Sequence, residues 1–245
     1  MNKTEMLETV RDYVAAHLGC TADDLTKEGT VFVPNKTAAA PFLEIATMGK
    51  AVVVSASPEL LPGAQKLLQG KNRDELFECP FVYGQSIYYL PDLREIKRLP
   101  LPDGYTYRFL QGSDIYSLRG ITGFENSLAF DENGQTPTCI VFYAVKDGKI
   151  AGLAGASFES EKMWEVGVDV KPAFRQGGLA AALVSSLAMT ILEQGVIPFY
   201  CASVTNIGSQ VVAHRSGFIP AWVSSYRTIL DGSSAYGNIL QGLKL

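Results

Sequence analysis

Residues 2–18 place Met6, Val10, Tyr13, Val14 and Leu18 near one helical face. Lys3, Glu5, Glu8, Arg11 and Asp12 fall mostly elsewhere, which predicts an amphipathic helix. Gly19 follows as a C′ residue, and Thr21 opens a T-A-D-D capping pattern for a short helical turn. β-rich runs come next at 30–34 and 43–57, the second broken by Met48-Gly49-Lys50 into a hairpin around Gly49. Ser57-Pro58-Glu59 reads as an N-cap with proline in the first turn, opening a helix towards Leu68. A further apolar segment, 81–90, reads as a strand or a core-lining loop.

The second half has a clearer rhythm. Residues 105–110 predict a strand, and Ser113 can cap a helical stretch after it. Strands at 139–145 and 150–158 flank Asp147-Gly148, a hairpin signal. Trp164, Val166, Val168 and Val170 then alternate with Glu165, Gly167 and Asp169. A helix is expected over 177–194, with no charge between Arg175 and Glu193 and a wide apolar face that buries it against a sheet. A strand at 197–204, a helix at 209–216 and a strand at 221–230 complete the order. The expected fold class is α/β (α+β), a mixed, mostly antiparallel sheet flanked by helices. Pro91, Pro100, Pro102 and Gly104 punctuate 91–104, so the expected domains are a smaller N-terminal α+β domain at 1–100 and a second domain at 101–245.

Composition narrows the function classes. Of 245 residues, 47% are hydrophobic and the net charge is −4, which excludes an intrinsically disordered chain and leaves no basic footprint for nucleic acid. The longest apolar stretch, 179–192, is short of the ~20 residues of a bilayer span. The residues after Met1 show no apolar signal core, so a cytoplasmic protein without membrane partners is expected. The chain has four cysteines without a C-x-x-C pair and two histidines, so no metal site is expected.

Chemistry concentrates where Val170-Lys-Pro-Ala-Phe-Arg175-Gln-Gly-Gly178-Leu-Ala180 joins a strand to the buried helix. A helix's first turn leaves N–H groups unpaired and carries partial positive charge, so it can hold phosphate where glycines clear the approach. The same residues also suit a sharp strand–helix turn. Neither G-x-x-x-x-G-K-[ST] nor G-x-G-x-x-G, H-E-x-x-H or G-x-S-x-G occurs at a fitting place.

Arg175-Gln-Gly-Gly178-Leu-Ala180 resembles the [QR]xxGx[GA] signature of the GNAT superfamily of N-acetyltransferases. Asn206-Ile-Gly-Ser209, continuing through Ala213 to Gly217-Phe218, is similar to that family's NxxSxxxAxxxGF segment. The resemblance covers about 105–230, with an N-terminal α+β extension found in one branch. It implies acetyl-CoA as co-substrate and transfer of an acetyl group to a primary amine of a small molecule or protein. Gln176, Gly177, Gly178, Leu179 and Ala180 would hold the pyrophosphate with Arg175 beside it. Val168 and Val170 would pair with the pantetheine arm, and Asn206 and Ser209 would contact the cofactor or merely cap the last helix.

Glu165 is the expected base, or else a solvated strand residue; Gly167 beside it is expected to leave room for substrate. Many relatives carry a tyrosine where this chain has Ala213, so Tyr200, Cys201, His214 and Tyr226 remain as proton donors, with Tyr200 and His214 joining Glu165 in the expected catalytic set. Glu159, Glu161, Glu165 and Asp169 favour a cationic acceptor. The missing tyrosine also admits a silent acyl-CoA-binding module, and the small residues 180–182 a longer acyl chain. The helix at 2–18 admits a homodimer.

Overall fold

The computed structural model describes residues 1–37, 41–80 and 82–229. They form two compact units: Thr4–Tyr88 with Ala221–Ile229, and Met1–Lys3 with Tyr89–Pro220.

In the first unit, α1 (Lys3–Leu18) buries Met6, Val10, Val14, Ala15 and Leu18, the face its periodicity predicts. Strands β1 (Gly29–Pro34), β2 (Phe42–Met48) and β3 (Ala51–Ala56) follow, with β3 in the middle, parallel to β1 and antiparallel to β2. Every residue of β3 is buried, as its largely apolar run requires, and its one polar side chain, Ser55, donates through Oγ to Leu18 O at 2.7 Å. The β2–β3 hairpin turns at Gly49, whose φ of 61° is the left-handed region. Against these strands pack α2 (Leu61–Leu68) and α3 (Arg73–Phe77), with Leu43, Ile45, Val54, Leu68 and Leu76 in one core.

The helix expected from Ser57 starts instead at Leu61, with Pro62 in its first turn. Ser57 is taken up elsewhere, its Oγ accepting from the Phe42 amide at 3.0 Å. Helix α3 was not expected from the sequence; Asn72 and Glu75 close a capping box at its start.

After β4 (Gln85–Pro91), the second unit holds β5 (Thr106–Gln111), β6 (Thr138–Lys146), β7 (Lys149–Phe158), β8 (Met163–Val170), α4 (Leu179–Glu193), β9 (Ile197–Ser203) and α5 (Ile207–Arg215). Strands β5 to β8 are antiparallel neighbours in chain order, and β9 lies parallel to β8 after the crossover through α4. Asp147 and Gly148 turn the β6–β7 hairpin with φ of 51° and 71°. One sheet face packs α4, where Leu183, Val184, Leu187, Ala188 and Ile191 are fully buried. The other packs Ile115, Leu118, Phe124 and Leu128 on Val141, Tyr143 and Leu153. The sheet is thus mixed, mostly antiparallel and flanked by helices.

The compact units change at 3/4, 88/89 and 220/221. The proline-rich stretch is no loose linker. Leu99 N donates to Ser185 Oγ on α4 at 3.1 Å, and Arg98 donates to Ser186 O, Thr190 Oγ1 and Glu193 Oε2 at 2.9, 3.1 and 2.6 Å. Towards the C-terminus, the strand expected over 221–230 is two pieces, β10 (Phe218–Ser225) and β11 (Thr228–Ile229), and residue 230 lies outside the described residues. Val223 and Ser224 of β10 pair with Thr47 and Ala46 of β2, which holds the segment after Pro220 in the first unit.

Candidate functional site

Strands β8 and β9 pair from Met163↔Ile197 to Val166↔Tyr200. Beyond that pair β8 runs on to Val170 and β9 to Ser203, so the two part. Residues 167–170 stay paired with β7 on one side. On the other, among the described residues, no strand completes their ladder. A β-edge opened in this way can accept an extended chain.

Cavities open at the parting. A groove of about 600 Å³ is walled by the end of β8, the turn into α4 and the exposed side of α5. A second cavity of about 440 Å³ includes Ser157, Glu159, Glu165, Cys201 and Ser203 in its lining. Asn126, Val168, Tyr200, Asn206 and Ser209 line both, marking where the two meet.

The turn into α4 has the geometry of an anion cradle. Gly178 is the N-cap residue at φ 78°, and it brings no side-chain cap to the first-turn amides. Gln176 also stands in the left-handed region, at φ 68°, which costs a non-glycine residue about 1 kcal/mol. Arg175 Nε donates to Val170 O at 2.8 Å and ties the turn to the strand end. No atom lies within 4 Å of where a Cβ on Gly177 or Gly178 would sit, so the approach is clear. The groove thus takes a helix N-terminus together with the cations Arg175 and Arg215. Val168, Val170, Arg175, Gln176, Gly178, Leu179, Ala180, Asn206 and Ser209 all line it; Gly177 does not.

Asn206 caps α5, its Oδ1 accepting from Ser209 N at 3.1 Å, so the helix begins before the expected 209. Capping and lining therefore coincide in one side chain. Buried Tyr200 places its hydroxyl 2.7 Å from Ser209 Oγ at the junction of the cavities. Burial pushes the Tyr200 phenol above its ordinary range, so it keeps its proton at neutral pH. The structure does not bring His214 to the site: it is exposed in the last turn of α5 and lines neither cavity. Tyr226 is in the other unit, its ring packed where a Cβ on Gly84 would sit. Ala213 is fully buried.

Glu165 is part-buried on β8, opposite Ser157. Burial, with the charge of Glu159 second, pushes its carboxyl up to about 7. A base poised near neutrality is what proton transfer from an amine requires.

Two readings of this strand change. Gly167 does not leave room for substrate: a Cβ there would collide with the Asn126 carbonyl oxygen, and one on its partner Gly155 with that of Ser127. The paired glycines let the 126–127 backbone lie directly on the sheet. Asp169 holds that loop in place. Its carboxylate accepts from Asn126 N at 2.9 Å, Asn126 Nδ2 at 2.7 Å, Ser127 N at 3.0 Å and Ser127 Oγ at 2.9 Å. Asn126, which the sequence did not single out, thereby reaches both cavities. Its signal was present in Gly167 and Asp169 but needed the tertiary pairing to be legible.

Comparison with known proteins bears on the same part of the chain. Residues 102–218 match the Acetyltransferase (GNAT) family. That match covers just under half of the chain, and the similarity to GNAT acetyltransferases belongs to this segment. The architecture of the chain is similar to that of a GCN5-related N-acetyltransferase-like protein from Streptococcus suis 89/1591, at 14% identity over 91% of this chain and 99% of that one, with a TM-score of 0.50. An acetyltransferase from the GNAT family from Colwellia psychrerythraea is also similar, at 14% identity over 71% of this chain and 76% of that one, with a TM-score of 0.47. At such identity the likeness is one of fold. No curated protein matches the chain. Among the described residues, no group of three or more His, Cys, Asp or Glu could hold a metal ion, and no helix is long and apolar enough to cross a membrane. The residues that line the groove and the cavity all lie within the matched segment.

Proposed function

We propose that the protein transfers an acetyl group from acetyl-CoA to a primary amine. One observation carries this reading: the uncapped first turn of α4 and the unpaired edge of β8 face the same groove, which reaches Tyr200 and the cavity of Glu165. The residues fit such a ligand. Amides 178–181 with Arg175 and Arg215 suit phosphates, and the edge at 167–170 suits an extended amide-containing arm.

Bound acetyl-CoA supplies an activated thioester. Glu165, ionised above about pH 7, takes the proton an acceptor ammonium must shed before it can attack. Tyr200, protonated and held on Ser209, stands where the cavities meet and can give a proton to the leaving sulfur. It fills the role left open by Ala213. A C–N bond forms and the C–S bond breaks. Of the two protons the nitrogen sheds, Glu165 takes the first before attack, and the second replaces the proton that Tyr200 gives to the sulfur, so solvent has only the Glu165 proton to remove.

The test is calorimetric titration with acetyl-CoA, using wild type and Ala180→Glu. A glutamate in the first helical turn favours the helix dipole but opposes phosphate. We expect affinity to fall roughly a hundredfold with no loss of thermal stability, from one opposing charge in a partly desolvated groove. Unaltered affinity would place the cofactor elsewhere. A silent acyl-CoA-binding module is the second reading, favoured by Ala213, and amine-dependent release of thiol separates the two.

A further inference from the structure

One of the donors that meet the Asp169 carboxylate fixes the orientation of a side chain. Asn126 Nδ2 donates to Asp169 Oδ1 at 2.7 Å, beside the Asn126 N bond at 2.9 Å. A carboxylate accepts and does not donate, so the NH2 end of the amide faces Asp169 and its Oδ1 is turned away. Among the described residues, that Oδ1 receives no hydrogen bond. The segment carrying it is anchored on both sides. Phe124 and Leu128 are buried with Val141 and Leu153, Ser127 N donates to Phe124 O at 3.0 Å, and Gly155 and Gly167 clear the sheet beneath 126–127. Along the face of β8 that carries Glu165, Gly167 and Asp169, the Asn126 carbonyl lies over the middle residue, roughly 7 Å of strand from Glu165. Asn126 also lines both the groove and the cavity of Glu165. The other amide and hydroxyls that line both are engaged: Asn206 Oδ1 accepts from Ser209 N at 3.1 Å, and Ser209 Oγ lies 2.7 Å from the Tyr200 hydroxyl.

Resting on the acetyl-transfer reading, we propose that Asn126 Oδ1 accepts the hydrogen that stays on the acceptor nitrogen, and thereby restricts the reaction to primary amines. The proton count leads there. A primary ammonium has three N–H groups. Glu165 takes one proton before attack, a second replaces the proton that Tyr200 gives to the sulfur, and the third hydrogen remains in the product amide. A secondary ammonium has only two, and both are removed. Its extra carbon substituent stands where the third hydrogen would be and leaves the Asn126 oxygen unpaired. Asn126 itself neither gains nor loses a proton. Its bond strengthens as the nitrogen becomes positive on attack, so it stabilises the transition state more than the bound amine. Asp169 acts through Asn126 as a positioning residue, holding the amide with its acceptor end outward.

The experiment measures thiol release from acetyl-CoA by the full chain with butylamine, benzylamine and glycinamide, each beside its N-methyl counterpart. We expect each acetylated primary amine to exceed its N-methyl form in kcat/KM by about tenfold or more, from one charge-assisted hydrogen bond. Asn126→Ala leaves the backbone donors of 126 and 127 on Asp169. It should lower kcat for the primary amine by a similar factor, bring the ratio towards one, and keep acetyl-CoA affinity by calorimetry near wild type. If the alanine variant does not fold, Asn126→Ser, whose hydroxyl is too short to replace the amide oxygen, is read in the same way. A wild-type ratio near one, a ratio unmoved in the variant, or a ratio that falls with no loss on the primary amine overturns the proposal. Acetyl-CoA that does not bind, or that yields thiol with none of the three primary amines, refutes the underlying reading instead, so the two failures are distinguishable.

Discussion

Replacing Glu165 with glutamine removes a group that the fold holds against its solution preference. Its carboxyl is raised from 4.5 to about 7, so the folded state binds a proton more tightly than the unfolded chain does. The sign follows from that. Between these values the folded form carries more protons, so stability falls as pH rises from 4.5 to 7 and is level beyond. At 1.36 kcal/mol for each pH unit of displacement, the wild type should lose about 2.5 kcal/mol from this group between pH 5 and pH 8. Glu165→Gln has no such dependence, and the difference between the two proteins should grow by that amount over the interval. Urea unfolding followed by fluorescence measures it. Trp164 and Trp222 are the chain's two tryptophans, one in each unit, so a Trp222→Phe background reports on the unit of Glu165. The stacked ring on Tyr88 is retained by phenylalanine. In the same variant the acid limb of kcat/KM near pH 7 should vanish together with most of the turnover, while acetyl-CoA affinity stays near wild type. A stability difference that does not vary with pH, or an unchanged acid limb, would refute both the burial argument and the role of the base.

Tyr200→Phe keeps the ring and removes the hydroxyl on Ser209; kcat should fall roughly a hundredfold with acetyl-CoA affinity little altered, as burst and steady-state thiol release would show. Gly167→Ala should cost about 1–3 kcal/mol in chemical denaturation, because the Asn126 carbonyl occupies the space, whereas Gly177→Ala should be near neutral. Glu44→Ala should cost about 3 kcal/mol by the same measurement, since this buried carboxylate accepts from Arg227 Nε at 3.1 Å and lies 3.2 Å from His17 Nε2. Asp169→Ala should release the 126–127 backbone and lower both stability and cofactor affinity, read by melting temperature and calorimetry together.

Periodicity was informative wherever one element buries one face. The alternation around Glu165, the uncharged helix after Gly178 and the Asp147-Gly148 hairpin were legible because local burial and local backbone preference point the same way. The open helix start at Gly178 was legible for a related reason: its glycines and the neighbouring arginine are contiguous in the chain. What the sequence misjudged lies in contacts between distant segments. Gly167 reads as open space until the Asn126 carbonyl is found there, and Asp169 reads as part of an acidic cluster until four donors from 126–127 surround it. His214 and Tyr200 look alike as proton donors, yet the turn of α5 leaves one exposed and the register of β9 buries the other against Ser209. The prolines at 91–104 suggest a linker, but the bonds of Arg98 and Leu99 to α4, and the pairing of β10 with β2, set the units' limits. A residue's neighbours within one element follow from spacing along the chain, and its neighbours across elements follow only from the packed fold.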